Sequence, residues 1–369
     1  MHTQWESLAN EHILGISPYE PGKPIEETER ELGVHDAIKL ASNENPLPPA
    51  DRVQQAIMNA LKDLNRYPDG SGYYLRQALA KRHGVTSEQI ILGNGSNELI
   101  ELLVRTFLRP GDEAVVPHPS FVVYPMMVQA AGGIRVMVML KDYRLDLEAM
   151  ARAITPMTKL VFIANPNNPT ATIVTADEVE HFMSRVPERT IVVFDEAYME
   201  FAHGPDFPDT LSYVKQGRKV LTLRTFSKAA SLAGLRVGYG ICDADATALM
   251  NRIRQPFNVN SLAQVAALAA LEDEGHILEC VRMIDAGKHF LYDEFKTMGI
   301  KYVPARANFV LVDVGRSASD IYQKLLLQGV IVRPLTSFGM ETALRVTIGT
   351  PEENRKLVKA LRTVLGKGA

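Results

Sequence analysis

Seven short runs of apolar and β-branched residues mark the first two-thirds of the chain, at 89–92, 113–116, 134–139, 159–164, 190–194, 219–223 and 236–241. Stretches with helical spacing separate most of them, and clusters of Gly, Pro, Asn and Asp bound them. Several runs are solid rather than alternating, for example Leu160 to Ala164 and Ile191 to Phe194. A strand buried on both faces reads this way, so the pattern predicts a mostly parallel sheet covered by helices. Upstream, helices are predicted over Asp51 to Leu64 and Tyr73 to His83, with a loop at 65–70 between them. Residues 1–45 are rich in Pro and Gly and read as an irregular, extended arm. After about 255 the pattern changes: one long helical stretch from Ser261 to Met298, strand-like pieces at Asn308–Val312 and Leu344–Ile348, and helices near 318–328 and 352–365. The fold class is therefore α/β, a large domain with a mostly parallel seven-stranded sheet plus a smaller α+β C-terminal domain. The expected division is an arm at 1–30, a large domain at 31–265 and a small domain at 266–369.

Four polar clusters close four of the apolar runs. They are Gly93-Asn94-Gly95-Ser96-Asn97-Glu98, Asn165-Pro166-Asn167-Asn168-Pro169-Thr170, Asp195-Glu196-Ala197-Tyr198, and Thr225-Phe226-Ser227-Lys228 running on to Arg236 and Gly238. In open α/β sheets, ligands bind at the C-terminal ends of strands. Taken singly, each cluster has a plain structural reading. Gly93 and Gly95 serve as turn glycines, Asp195 as a cap, the Asn-Pro run as a turn, Phe121 as core and Arg236 as half of a surface ion pair. Together, in one order at four strand ends, they meet the needs of one cofactor, pyridoxal phosphate: an amine for a Schiff base, a carboxylate for the pyridine nitrogen and a cradle for a phosphate. Lys228 supplies the amine and Asp195 the carboxylate. Gly95, Ser96 and Asn97 open a helix whose free N–H groups and dipole attract an anion, with Ser227 and Arg236 beside them. Tyr198 and Asn168 are placed to reach the phenolic oxygen, and Phe121 to stack on the ring.

Composition adds exclusions. A chain of 369 residues, 46% hydrophobic and 22% charged, suits a two-domain globular protein. A net charge of −3 offers no footprint for nucleic acid. No apolar run approaches the ~20 residues of a membrane span. The N-terminus shows no basic region followed by an apolar core, so no signal peptide is expected. Cys242 and Cys280 lack metal-ligand spacing, which predicts reduced thiols, a cytoplasmic location and no metal.

The motifs at 165–170, 195–198 and 227–238 resemble those of the aspartate-aminotransferase superfamily of pyridoxal-phosphate enzymes. Tyr19-Glu20-Pro21-Gly22-Lys23-Pro24, Leu40-Ala41-Ser42-Asn43-Glu44-Asn45-Pro46, Arg66-Tyr67-Pro68-Asp69 and Leu344-Arg345-Val346-Thr347 are similar to its histidinol-phosphate aminotransferase subgroup. The likeness spans about residues 15–365. It implies that Lys228 is the Schiff-base lysine, Asp195 the pyridinium partner, and Tyr198 with Asn168 the ligands of the phenolic oxygen. Gly95, Ser96, Asn97, Thr225, Ser227 and Arg236 would cradle the phosphate. Tyr67 would reach the cofactor of a neighbouring subunit, making a homodimer with a shared active site. Arg345 would bind a substrate oxyanion, with Tyr19, Asn45 and Arg333 as further substrate contacts. The implied reaction is ping-pong transamination between L-histidinol phosphate and 2-oxoglutarate; an aromatic aminotransferase and a threonine-phosphate decarboxylase remain as alternatives. Two positions depart from the pattern: Ala171 stands where Gly is usual, which matters if φ must be positive there, and Phe121 where Tyr is common.

Overall fold

A computed structural model of the protein describes residues 4–19, 21–202 and 204–366, so Glu20 of the arm motif lies outside the described residues. After a two-residue strand β1 (Ile38–Lys39), the predicted apolar runs form β2 (Ile90–Gly93), β3 (Glu113–His118), β4 (Ile134–Met139), β5 (Thr158–Ala164), β6 (Ile191–Asp195), β7 (Val220–Thr225) and β8 (Gly238–Ile241). They make one seven-stranded sheet in the order β2-β8-β7-β6-β5-β3-β4. Neighbours from β4 to β7 are parallel, whereas β8 runs antiparallel to both β2 and β7. The link from Thr225 to Gly238 holds only a single 3-10 turn, Ala233–Leu235, and no crossover helix. Without one the chain cannot return to lay β8 parallel to β7.

Alternate residues of one strand bury themselves in different layers. Val161, Ile163, Val192 and Phe194 join the core on one face, and Leu160, Phe162 and Val193 the core on the other. That two-sided burial is why these strands are solid apolar runs.

The C-terminal part carries β9 (Lys301–Tyr302), β10 (Phe309–Asp313), β11 (Val330–Ile331), β12 (Arg333–Pro334) and β13 (Ala343–Thr347). The order β12-β13-β10-β9 is antiparallel throughout, while β11 pairs in parallel with β1. Residues near the start of the chain are thus tied to its end: the Leu40 amide donates to Ile331 O at 2.7 Å, and the Thr347 amide to Leu40 O at 2.9 Å.

Two expectations need correction. The stretch 261–298 is two helices, Ser261–Leu271 and Glu274–Thr297, because Asp273 caps the second by accepting from the His276 amide. Apolar spacing runs through the break and hides it. The arm is not irregular throughout: Ile25–Leu32 is helical, opening after Pro24 with Glu26 and Glu27 in its first turn and closing on Gly33 at φ 65°. Both features favour a helix, since acids complement the N-terminal dipole and glycine accepts the left-handed cap.

Ala171 adopts φ 59°, so the backbone there does occupy the left-handed region. That conformation costs an alanine roughly 1–2 kcal/mol. Arg306 N–H donates to the Ala171 carbonyl at 2.7 Å, and the alanine itself is fully buried. Among the described residues no helix is long and apolar enough to cross a membrane.

Candidate active site

The C-terminal ends of β5, β6 and β7 and the start of the helix Gly95–Phe107 converge on a cavity of about 150 Å³. Asp195 is the last residue of β6, and Thr225 the last of β7, with Ser227 and Lys228 just beyond. Strand ends are rigid and their following loops are free to aim side chains, which is why polar groups accumulate here.

One end of the cavity is built for an anion. Ser96 and Asn97 present the first turn of the helix, and Thr225, Ser227 and Arg236 face them. Arg236 Nη1 donates to Ser227 Oγ at 3.2 Å and to Ala233 O at 3.0 Å, and the Ser227 amide donates to Thr225 Oγ1 at 3.1 Å. Two glycines permit the approach. A Cβ on Gly95 (φ 73°) would lie 2.5 Å from Arg236 Nη2, and one on Gly238 would lie 2.6 Å from the Ser96 amide nitrogen.

At the middle of the cavity, Asp195 is buried. Its Oδ2 accepts from Tyr124 Oη at 2.7 Å and its Oδ1 from the Ala197 amide at 3.2 Å. Burial pushes its pKa up despite these donors. Tyr198 Oη accepts from Asn43 Nδ2 at 3.0 Å, and burial raises its pKa as well. Lys228 Nζ lies 5.4 Å from the centre of the Tyr198 ring and donates to Ser42 O at 3.4 Å. Burial, then the positive charge of Arg345, pulls the amine down from 10.5 to about 8. At the far end, Arg345 Nη1 donates to Asn168 Oδ1 and Nη2 to Ala41 O, both at 2.6 Å, over the face of Phe309. Arg345 Nε is buried with no partner.

The cavity therefore gathers Tyr19, Ser96, Asn97, Phe121, Asn168, Asp195, Tyr198, Thr225, Ser227, Lys228, Arg236 and Arg345, with Gly95 behind Arg236. Three residues named from the sequence stand outside it. Asn45 spends its side chain on Ala229 O and the Leu47 amide, both at 3.0 Å. Arg333 is one strand away, opposite Arg345 in the β12–β13 register and 6.0 Å from the Tyr19 ring centre. Tyr67 is 82% exposed and stacks on Phe257 at 4.6 Å.

Sequence reasoning missed Ser42, Asn43 and Tyr124. Tyr124 lies in an apolar helix, Val123–Ala130, where it reads as core; only its phenol gives it away. Asn43 sits at φ 54°, a conformation that Asn tolerates better than most residues.

The donor set fits pyridoxal 5′-phosphate. A helix start with Arg236 and two hydroxyls suits a phosphate, a buried carboxylate suits a protonated ring nitrogen, and a depressed amine suits attack on an aldehyde. Among the described residues no cluster of three or more His, Cys, Asp or Glu could hold a metal.

Two outcomes are expected. Tyr124→Phe removes one hydrogen bond to a buried carboxylate, worth about 1.5–3 kcal/mol for a charged group. It is expected to weaken cofactor affinity about tenfold or more in an absorbance titration; unchanged affinity would mean the bond does not orient Asp195. Because the amine must be neutral to attack, cofactor capture by cofactor-free protein is expected to quicken with pH up to about 8 and level above it. Stopped-flow rates still climbing towards 10.5 would contradict the burial argument.

Comparison with known proteins agrees with this geometry. Residues 35–361 match the family described as aminotransferase class I and II. The chain is 50% identical over 356 residues to the histidinol-phosphate aminotransferase of Moorella thermoacetica, covering 96% of this chain and 92% of that one. It is 47% identical to histidinol-phosphate aminotransferase 2 of Pseudomonas aeruginosa, covering 97% and 98% respectively. Among solved structures, the histidinol-phosphate aminotransferase from Sinorhizobium meliloti in complex with pyridoxal-5′-phosphate superposes with a TM-score of 0.89 at 30% identity, covering 98% of this chain and 99% of that one. The aspartate aminotransferase from Thermus thermophilus with maleate gives 0.84 at 25% identity, covering 96% and 99%.

Proposed function

The chain belongs to the aminotransferase class I and II family, a pyridoxal 5′-phosphate enzyme, and from that premise we propose that it moves the amino group of L-histidinol phosphate to 2-oxoglutarate. Its relatives named for histidinol phosphate, at about half identity over nearly the whole chain, support that substrate. The observation that carries the reading is the distribution of cations in one cavity. Arg236 with the helix start would serve the phosphate of the cofactor, and Arg345 at the far end would serve an anionic substrate, with Arg333 outside the cavity one strand away. A guanidinium meets either a phosphate or a carboxylate with two parallel donors, so the same site can take a phosphorylated amine in one half-reaction and a dicarboxylic acid in the other.

When bound, the cofactor supplies an electron-withdrawing ring that accepts the electron pair left when a substrate Cα–H bond breaks. Asp195 would hold the proton on the ring nitrogen. Tyr198 would offer its phenol to the ring oxygen, as would the amide NH2 of Asn168, whose carbonyl Arg345 already occupies. Phe121 would supply a face for the ring. Lys228 would be the group that holds the cofactor's aldehyde carbon and, as a free amine, the base that takes the substrate Cα proton. Burial leaves about half of the amine neutral near pH 8, where an ordinary lysine would be almost wholly charged, and a base must be neutral.

The test is a single-turnover absorbance experiment with cofactor-loaded protein and L-histidinol phosphate alone. Loss of the visible band, reversed by 2-oxoglutarate, is the expected result. No change with histidinol phosphate but conversion by phenylalanine or tyrosine would move the assignment to an aromatic aminotransferase, and release of CO2 would move it to a decarboxylase.

Tyr67 lies in a stretch whose apolar side chains face solvent: Met58, Leu61, Leu64, Tyr73 and Tyr74 are all exposed, as is Phe257 beneath Tyr67. Soluble monomers rarely leave so many together, which supports a homodimer closed over this patch with Tyr67 reaching the partner's site. Sedimentation is expected to give a dimer, and Leu64→Glu with Tyr74→Glu to give monomers of weak cofactor affinity. A fully active wild-type monomer would overturn this.

A further inference from the structure

Behind the cavity, on the other side of the same two strand ends, lies a charged group that the chemistry above leaves unused. Glu196 follows Asp195, and Arg224 precedes Thr225. Successive residues of a strand point to opposite faces, so Asp195 and Thr225 turn into the cavity while Glu196 and Arg224 turn away from it. Parallel register sets Asp195 beside Leu223, which brings Glu196 level with Arg224. Glu196 Oε2 accepts from both Nε and Nη2 of Arg224, each at 2.9 Å. Its Oε1 accepts from Thr210 Oγ1 at 2.5 Å, and Thr210 in turn meets Thr222 Oγ1 at 3.0 Å.

The second side of the arginine is tied as well. Arg224 Nη1 lies 3.3 Å from His83 Nδ1, and His83 Nε2 lies 3.0 Å from Tyr239 Oη. A guanidinium only donates, so Nδ1 must accept and Nε2 carries the hydrogen towards the tyrosine. Burial first, and the Arg224 charge next, push the pKa of His83 down to about 3, which keeps the ring in that neutral form. Burial works against the charge of Arg224, but the Glu196 carboxylate, with Tyr239 and Glu200 behind it, more than offsets burial and holds the guanidinium's pKa above its ordinary value. The chain of contacts thus joins β6, β7, β8, the helix Tyr73–His83 and the helix Thr210–Lys215.

A buried ion pair is weak evidence for stability, because desolvation offsets most of the attraction; well-packed apolar residues do as well or better. What the pair adds over an apolar filling is direction. We propose that Glu196 and Arg224 are positioning residues, a clamp on the reverse of the β6 and β7 tips that fixes Asp195 relative to Thr225, Ser227 and Lys228. The inference rests on the roles assigned to Asp195 and Lys228 under the proposed function. Neither clamp residue touches the cavity, so both act through the strand ends they join.

The test compares Glu196→Gln and the paired swap Glu196→Met with Arg224→Met against wild type. Three quantities are read: the dissociation constant of pyridoxal 5′-phosphate from cofactor-free protein, the circular dichroism of the visible band of the bound cofactor, and kcat separately from KM. Misplacing reacting groups by a fraction of an ångström to 1 Å costs roughly 10- to 100-fold. The expected result is a cofactor affinity and kcat reduced by about that range, a weakened dichroic band and a KM changed only a few-fold. Melting temperature serves as the control. The paired swap, which leaves no lone buried charge, is expected to melt near wild type and still show these losses, and it carries the test if Glu196→Gln fails to fold. Affinity, dichroism and kcat within about twofold of wild type in the folded variant would overturn the clamp, whatever happens to melting. If wild type itself forms no visible band with the cofactor, the proposed function fails; if only the variants are unaffected, this inference alone does.

Discussion

Lys228→Ala is expected to lose turnover by at least about 10⁴-fold while still binding the cofactor. In the proposed mechanism the loss combines two deletions: the amine that would hold the cofactor covalently and the base that would move the Cα proton. Retention of the cofactor follows from the rest of the cavity. The phosphate cradle of Ser96, Ser227 and Arg236 and the carboxylate of Asp195 do not depend on the lysine side chain. Removing the buried amine also relieves its desolvation, so the cofactor-free variant is expected to melt no lower than wild type. Steady-state kinetics, with an absorbance titration for cofactor, checks both halves. Turnover near wild type would remove Lys228 from the mechanism, and complete loss of cofactor would mean that the cradle is insufficient on its own.

Asp195→Asn is expected to separate activity from stability. The amide occupies the same space and its oxygen can still accept from Tyr124, at the cost of the Ala197 N–H bond, but it cannot play the part proposed for the carboxylate, which is to hold a proton on the ring nitrogen. A fall in kcat of about 10²–10³-fold or more is expected from losing a charge aimed at the reacting centre. Stability should move the other way in cofactor-free protein. Burial raises the folded pKa of Asp195 above its ordinary 3.8. The group therefore favours the fold while protonated, and that contribution is lost as pH rises through the folded pKa. The asparagine variant escapes this loss. In cofactor-free protein, the melting temperature of the variant relative to wild type is expected to rise as pH goes from acid to neutral, on top of a constant loss from the Ala197 bond. A difference that does not move with pH would show that Asp195 is not strained by burial.

The large sheet was legible because burial on both faces leaves solid apolar runs, and the main site because four of those runs end in groups with chemical purpose. Lys228, Asp195 and Arg236 needed no structure to be singled out. The antiparallel entry of β8 was not legible, since an apolar run carries no sign of its direction; only the missing crossover helix sets it. The break at Asp273 was hidden by periodicity that continues across it. Tyr124 and Asn43 were missed for a common reason. Each contributes one polar atom at a distance in the chain, Tyr124 to a carboxylate 71 residues on and Asn43 to a phenol 155 residues on, and no local pattern records such a pairing. Glu196 and Arg224 lay in plain view inside the quoted motifs or at their edge, yet which face they take depends on register.

The belt formed by Leu40 to Asn43 has a consequence for the order of events during synthesis. The Asn43 amide donates to Thr347 Oγ1 across a sequence separation of 304 residues, and Arg345 reaches Ala41 across the same span. While the ribosome is still making the last strands, Lys228 and Asp195 have already emerged, but the wall that carries Ser42 and Asn43 lacks its partners in β11 and β13 and keeps only side-chain bonds such as those to Tyr198 and Lys228. A nascent chain stalled near residue 300 is therefore expected to hold a formed sheet and an open, water-filled site. Productive capture of the cofactor is then expected only once the final strand is in place, among the last steps of maturation.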